Sequence, residues 1–216
     1  MTFTCTATAI WRETPETPKP DVSFIPPLER RRLTGVERAA LDVAWQVRTD
    51  TPLPVVFASR WGEIGVTVKL MKQFHESGEM SPAGFSASVH NAAPGAFSVL
   101  TKNKAPYTAI AAGERSLESG LLEALALRQD VIFVYAEEAT PDFYRPAFDT
   151  VQSGCAVAVR LSPKAPQTDR DWCFSTSFEH RARPPAPFDA FTDFLAGRSP
   201  AFLSSHVQLT RQTERS

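Results

Sequence analysis

A succession of short, continuously apolar runs, each followed by an amphipathic stretch of helical period, constrains this chain more than any other feature. The runs are Leu53–Ser59 (LPVVFAS), Tyr107–Ala112 (YTAIAA), Val131–Tyr135 (VIFVY) and Ala156–Leu161 (AVAVRL). Strands apolar on both faces belong in a sheet that is covered by helices on both sides, as in parallel α/β folds. The stretches between them read as those helices. Thr34-Gly35-Val36-Glu37 has the form of a capping box and opens a helix to about Arg48, with Ala40, Ala44 and Val47 on one face. Glu63–Ser77 repeats Ile64, Val68 and Met71 at spacings of four and three, and Gly78 suits its C-cap. Ser116–Arg128 carries Leu117, Leu121 and Leu125 on one stripe. Thr2–Trp11 reads as a first strand. Trp172–Phe178 is a later strand that breaks the alternation, so antiparallel strands are expected at one edge. A short helix, Phe188–Leu195, is expected to close the chain, and the last polar residues to fray.

Composition narrows the class. With 43% hydrophobic and 22% charged residues among 216, the chain can bury a core, and global disorder is excluded. Lys plus Arg is 23 and Asp plus Glu is 24, a net charge of −1, which gives no electrostatic reason to expect nucleic acid. So little net charge also gives little repulsion between copies or partners. No apolar run reaches the roughly 20 residues of a membrane span, and no signal peptide is evident at the start. Cys5, Cys155 and Cys173 are too scattered for a disulfide framework or a zinc site, so a soluble, reduced, cytoplasmic protein is expected, without metal or cofactor. Prolines gather in Thr14–Pro27, Lys164–Asp171 and Arg181–Pro187, which read as loops rather than as linkers between domains. One domain over residues 1–200 and a polar tail over 201–216 are expected.

The informative segment is Ser88–Ala124. A small-residue strand runs through Gly113 into a turn, and a helix starts within a few residues. A side chain at such a turn faces a cleft from a helix N-terminus, where a cysteine would be activated as an acyl acceptor. Glu114 stands at that turn. The segment resembles the β-ketoacyl synthases of the thiolase-like superfamily, which carry Asn-x-x-x-Gly, a Gly-Pro or similar pair, and a strand ending Thr-Ala-Cys-x-x-Gly. Asn91 and Gly95 match the first part, Pro106 the second and Tyr107–Ala112 the strand, and Gly120–Ala124 continues the register into the nucleophile helix. The resemblance is strongest from Val55 to Glu138. It implies half of a thiolase-like α/β fold: a five-stranded, mostly parallel sheet with helices on both faces and an antiparallel edge.

The departures from the family pattern carry the functional expectation. The family's nucleophilic cysteine falls on Glu114, and a carboxylate acylated by a thioester would give only a labile anhydride. The family's second-half catalytic residues have no counterpart among His75, His90, His180 and His206. The combination is similar to the chain length factor of polyketide and aryl polyene systems, an inert synthase homologue that pairs with an active one and shapes its acyl tunnel. That resemblance implies a full-length β-ketoacyl-ACP synthase as partner, with an acyl carrier protein nearby. It places tunnel-gating roles on Trp61 and Phe85, and the partner interface on Tyr107, Thr108, Ala109, Ile110 and Ala111. The plain alternative for Trp61 and Phe85 is core packing. Arg30, Arg31 and Arg32 are candidates for carrier-protein docking, against a solvated charge run. Glu114 reads as a passive replacement, the alternative being a role in malonyl decarboxylation. A scaffold that binds carrier protein or synthase without touching the acyl chain is the other class. A Cys/His pair from Cys155 or Cys173 with His180, and a serine nucleophile at Ser116, are the weaker enzyme readings, since no Gly-x-Ser-x-Gly surrounds Ser116.

Overall fold

A computed structural model describes residues 2–144, 151–163, 171–176, 186–204 and 207–211. Its strands are β1 (Thr2–Arg12), β2 (Val55–Ala58), β3 (Tyr107–Ile110), β4 (Val131–Glu137), β5 (Cys155–Ser162), β6 (Asp171–Thr176), β7 (Ala201–Leu203) and β8 (Val207–Arg211). Its helices are α1 (Pro27–Arg30), α2 (Gly35–Val47), α3 (Ile64–Ser77), α4 (Pro82–Ala87), α5 (Ala92–Thr101), α6 (Ser116–Ala126) and α7 (Pro187–Leu195).

The strands form one sheet in the order β3-β2-β4-β5-β1-β6-β8-β7. β2 pairs in parallel with both β3 and β4, whereas β5 is antiparallel to β4 and to β1. In the five strands from β3 to β1, β5 alone therefore runs against the others. This is the α/β, thiolase-like sheet expected from the resemblance. The antiparallel edge is larger than expected, because the sheet has eight strands. β8 pairs with both β6 and β7, so Ala201–Leu203 and Val207–Arg211, within the stretch read as a polar tail, are strands of the sheet. Val207 and Leu209 alternate inward and are fully buried, a period-two signal too short to stand out beside polar neighbours. Residues 164–170 and 181–185, expected to be loops, and Ser177 and Phe178, expected to end a strand, lie outside the described residues.

The strand runs are apolar throughout because each face meets a different core. Val56 of β2 and Val131 and Phe133 of β4 pack with Leu117, Leu121 and Leu125 of α6 and Phe191 and Phe194 of α7. Val55, Phe57, Ile132 and Val134 point the other way, onto Leu41, Ala44 and Val47 of α2 and Phe97 of α5. Each fully buried large side chain of this kind contributes about 1.5–3 kcal/mol. The capping box is formed: the Glu37 amide donates to Thr34 Oγ1 at 3.0 Å, and the Thr34 amide donates to Glu37 Oε2 at 2.8 Å. Gly78 ends α3 in the left-handed conformation at φ 71°. Met71 departs from its expected inward place, since it is 50% exposed.

Candidate functional site

The site lies where β2, β3 and β4, running in parallel, reach their C-terminal ends, the side on which open α/β sheets place their chemistry. Ser59-Arg60-Trp61 leaves β2, Ala111–Ser116 leaves β3, and Glu137-Glu138 closes β4. Glu137 is 1% exposed and ties the first of these segments down. Its carboxylate accepts from Ser59 Oγ at 3.1 Å and from the Arg60 amide. Ser59 Oγ in turn accepts from the Gly62 amide at 2.7 Å, and a His90 ring nitrogen lies 2.9 Å from the Ser59 carbonyl. Gly62 is required here: its φ is +54°, and a Cβ would run into the His90 ring. Burial raises the Glu137 carboxyl to about 7 despite these donors.

Glu114 sits in a single 3₁₀ turn, Gly113–Arg115, between β3 and α6. Its carboxylate lies 3.9 Å from the Arg60 guanidinium, and its side chain is 44% exposed. The Arg60 guanidinium also covers the Trp61 ring at 4.9 Å, and Trp61 stacks on Tyr144 with centroids 6.2 Å apart. Arg60 therefore joins the turn after β3 to the aromatic pair beside β2. Ser116 does not resemble a nucleophile. It is 1% exposed, its hydroxyl donates to the Gly113 carbonyl at 2.7 Å and accepts from the Ala112 amide at 3.0 Å, and so it fixes the turn.

The sequence-derived residues divide by location. Trp61 and Glu114 share the Arg60 cluster. Phe85 lies on α4 and is 59% exposed, which removes core packing as its role. Tyr107, Thr108, Ala109 and Ile110 form β3, one of the two edge strands of the sheet among the described residues, and Ala111 follows it, exposed to solvent. The chain from Ala111 to Arg115 is exposed throughout. Arg30 ends α1, where its carbonyl accepts from the Arg38 guanidinium, and Arg32 makes a 3.9 Å contact with Glu29. Cys155 is buried, and burial raises its thiol to about 12, so it is no nucleophile at neutral pH. The Cys173 side chain, His180 and His206 lie outside the described residues.

Sequence reading missed the carboxylates. Glu63, the N-cap residue of α3, is 3% exposed, and the Thr34 hydroxyl is the side-chain hydrogen-bond partner that eases its burial. Burial, with Glu37 and Glu138 as negative neighbours, raises it to about 8. Glu138 accepts from the Gly65 amide at 2.6 Å and lies against Gly35, so it packs between the first turns of α2 and α3. The adjacent Glu137-Glu138 pair at the end of the most apolar strand was the available signal. A cavity of about 530 Å³ opens beside both, lined also by Trp11, Lys19, Arg38 and Gly154.

Residues 6–213 match the β-ketoacyl synthase N-terminal domain family. The chain belongs to that family. Among solved structures, this β-ketoacyl synthase-like chain is similar to one in the complex of the ketosynthase ApeO with its chain length factor ApeC from Xenorhabdus doucetiae. The TM-score is 0.78 at 24% identity, over 98% of this chain and 100% of the other. It is also similar to the ishigamide ketosynthase/chain length factor, with a TM-score of 0.57 at 15% identity, covering 75% of this chain and 62% of that one. At these identities the likeness is one of fold. No significant match to a curated protein was found. Among the described residues, no helix is long and apolar enough to cross a membrane.

Proposed function

We propose that this chain is a non-catalytic, chain-length-factor-like subunit. It pairs with a full-length β-ketoacyl-ACP synthase during elongation of an aryl polyene, fatty acyl or polyketide chain. The observation that carries the reading is Glu114 itself. At the turn where the family holds its nucleophile, this chain has an exposed carboxylate beside Arg60, over a serine engaged in holding the turn. Neither group can store an acyl chain as a thioester. The similarity of fold to a chain from a ketosynthase–chain length factor complex supports the pairing, and the edge position of β3 supports the place of contact.

In this account Tyr107–Ala111 meet the synthase. Trp61, held by Arg60 and Tyr144, and Phe85 form the wall against which the growing chain stops. Arg30, Arg31 and Arg32 receive the acidic carrier protein. The experiment is reconstitution of the chain with a full-length β-ketoacyl-ACP synthase of the same organism, carrier protein and malonyl donor, with product lengths read by mass spectrometry. Trp61→Ala is expected to shift the distribution to longer products while the complex stays intact. An unchanged distribution in an intact complex would favour a scaffold that does not touch the acyl chain.

A further inference from the structure

Three successive backbone amides at the exit of β2 turn onto one buried polar pair. The Arg60 and Trp61 amides donate to the Glu137 carboxylate. The Gly62 amide donates to Ser59 Oγ at 2.7 Å, and that hydroxyl donates to Glu137 Oε2 at 3.1 Å. Gly62 completes the turn in the left-handed region. Such a run of amides forms a concavity that suits an anion. Here the chain supplies the anion itself, from a side chain 1% exposed at the end of β4.

The two residues held in this way are those whose side chains build the aromatic wall. With their backbone fixed, the Arg60 guanidinium covers the Trp61 ring at 4.9 Å, and the ring stacks on Tyr144. The contact of Arg60 with Glu114, at 3.9 Å and partly in water, is too weak a restraint to place that cluster. The neighbouring carboxylates are engaged elsewhere. Of those lining the cavity of about 530 Å³, Glu13 binds the Gly154 amide and Glu138 the Gly65 amide, and Glu137 reaches Arg60 and Trp61.

We infer that Glu137 is a positioning residue for the Trp61 wall: by binding the Arg60 and Trp61 amides it sets how far the indole stands into the path of the acyl chain, and so sets product length through Trp61. The inference rests on the wall reading proposed above and adds the residue that holds the wall in place. Glutamine keeps the size of this side chain but exchanges one accepting oxygen for an NH2 group, which cannot accept from an amide or a hydroxyl.

The test has two readouts, both at about pH 8.5, above the value of about 7 to which burial raises the Glu137 carboxyl. Tyr135 and Cys155, which face that carboxyl, keep their protons there because burial raises both. The first readout is Trp61 emission from the full chain at low concentration. It is taken as the difference between each protein and its Trp61→Phe counterpart, which removes Trp11, Trp45 and Trp172. Glu137→Gln, with its fold checked by circular dichroism, is expected to move this emission to longer wavelength, and Glu13→Gln to leave it in place. If Glu137→Gln does not fold, Ser59→Ala is read instead, because it removes the hydroxyl that joins Glu137 to the Gly62 amide, and the same direction of shift is expected.

The second readout is product length in the system reconstituted with a full-length synthase of the same organism. Glu137→Gln is expected to lengthen the products as Trp61→Ala does, and the double variant to go no further than Trp61→Ala alone, since both act through one side chain. Wild-type Trp61 emission in a folded variant would overturn the inference. So would a double variant whose shift is the sum of the two single ones, because Glu137 would then act apart from Trp61. If Trp61→Ala itself leaves product length unchanged, the wall reading fails and the product-length role of Glu137 fails with it, even where the emission shift shows that Glu137 places the indole.

Discussion

At the scale of the residue, burial governs Glu63 and Glu137 more than any hydrogen bond does. Both hold protons in the folded chain at pH values where the unfolded chain, with carboxyls near 4.5, has released them. The folded state then binds more protons than the unfolded one, so stability falls as pH rises from about 4.5 through about 8. We expect the Tm of the chain to drop across that range and Glu63→Gln to flatten the drop. With about 1.4 kcal/mol per pKa unit, the flattening should amount to several degrees. An identical pH profile for the variant, measured by thermal unfolding, would contradict the assignment. Glu114 is a different case, because its contact with Arg60 is long and half in water. Glu114→Gln should change stability by less than about 1 kcal/mol. It should also leave product length and yield unaltered if the residue is a passive replacement. Loss of product from the reconstituted system would instead give the carboxylate a chemical role.

At the scale of the element, Gly120 lets α6 lie close against the sheet. A Cβ there would come within 2.4 Å of the Ala58 Cβ and 2.8 Å of the Phe133 ring. Gly120→Ala should therefore push α6 off β2 and β4 and cost about 1–3 kcal/mol, read as a lower midpoint in urea unfolding. An unchanged midpoint would mean that the helix packs less tightly than described. Elements with a sustained period were legible in the sequence: α2 with its Thr34 capping box, α6 with its leucine stripe, and β4. α5 was not, because Pro94 and Gly95 fall in its first turns and resemble a loop. There Pro94 is tolerated, since the first helical amides have no intrahelical partner in any case. β7 and β8 were too short to register, and they gain their place from pairing with β6 rather than from their own pattern. Of the candidate site, Glu114 and Trp61 were singled out by the resemblance to the family, and both lie in the Arg60 cluster. Glu137 was not, because a buried glutamate at a strand end acquires meaning only when Ser59 and Arg60 fold back onto it.

At the scale of the whole molecule, the described surface carries an exposed edge strand, an exposed turn from Ala111 to Arg115 and exposed apolar side chains on α3 and α4. An open strand edge and exposed apolar surface invite association, and a net charge of −1 does little to oppose it. The measurement that tests the account most directly is co-expression with a full-length ketosynthase of the same organism, followed by size-exclusion chromatography with mass determination. The account predicts one stable mixed complex, and self-association or poor solubility when the chain is made alone. A monodisperse monomer that elutes apart from a synthase still able to elongate normally by itself would contradict it.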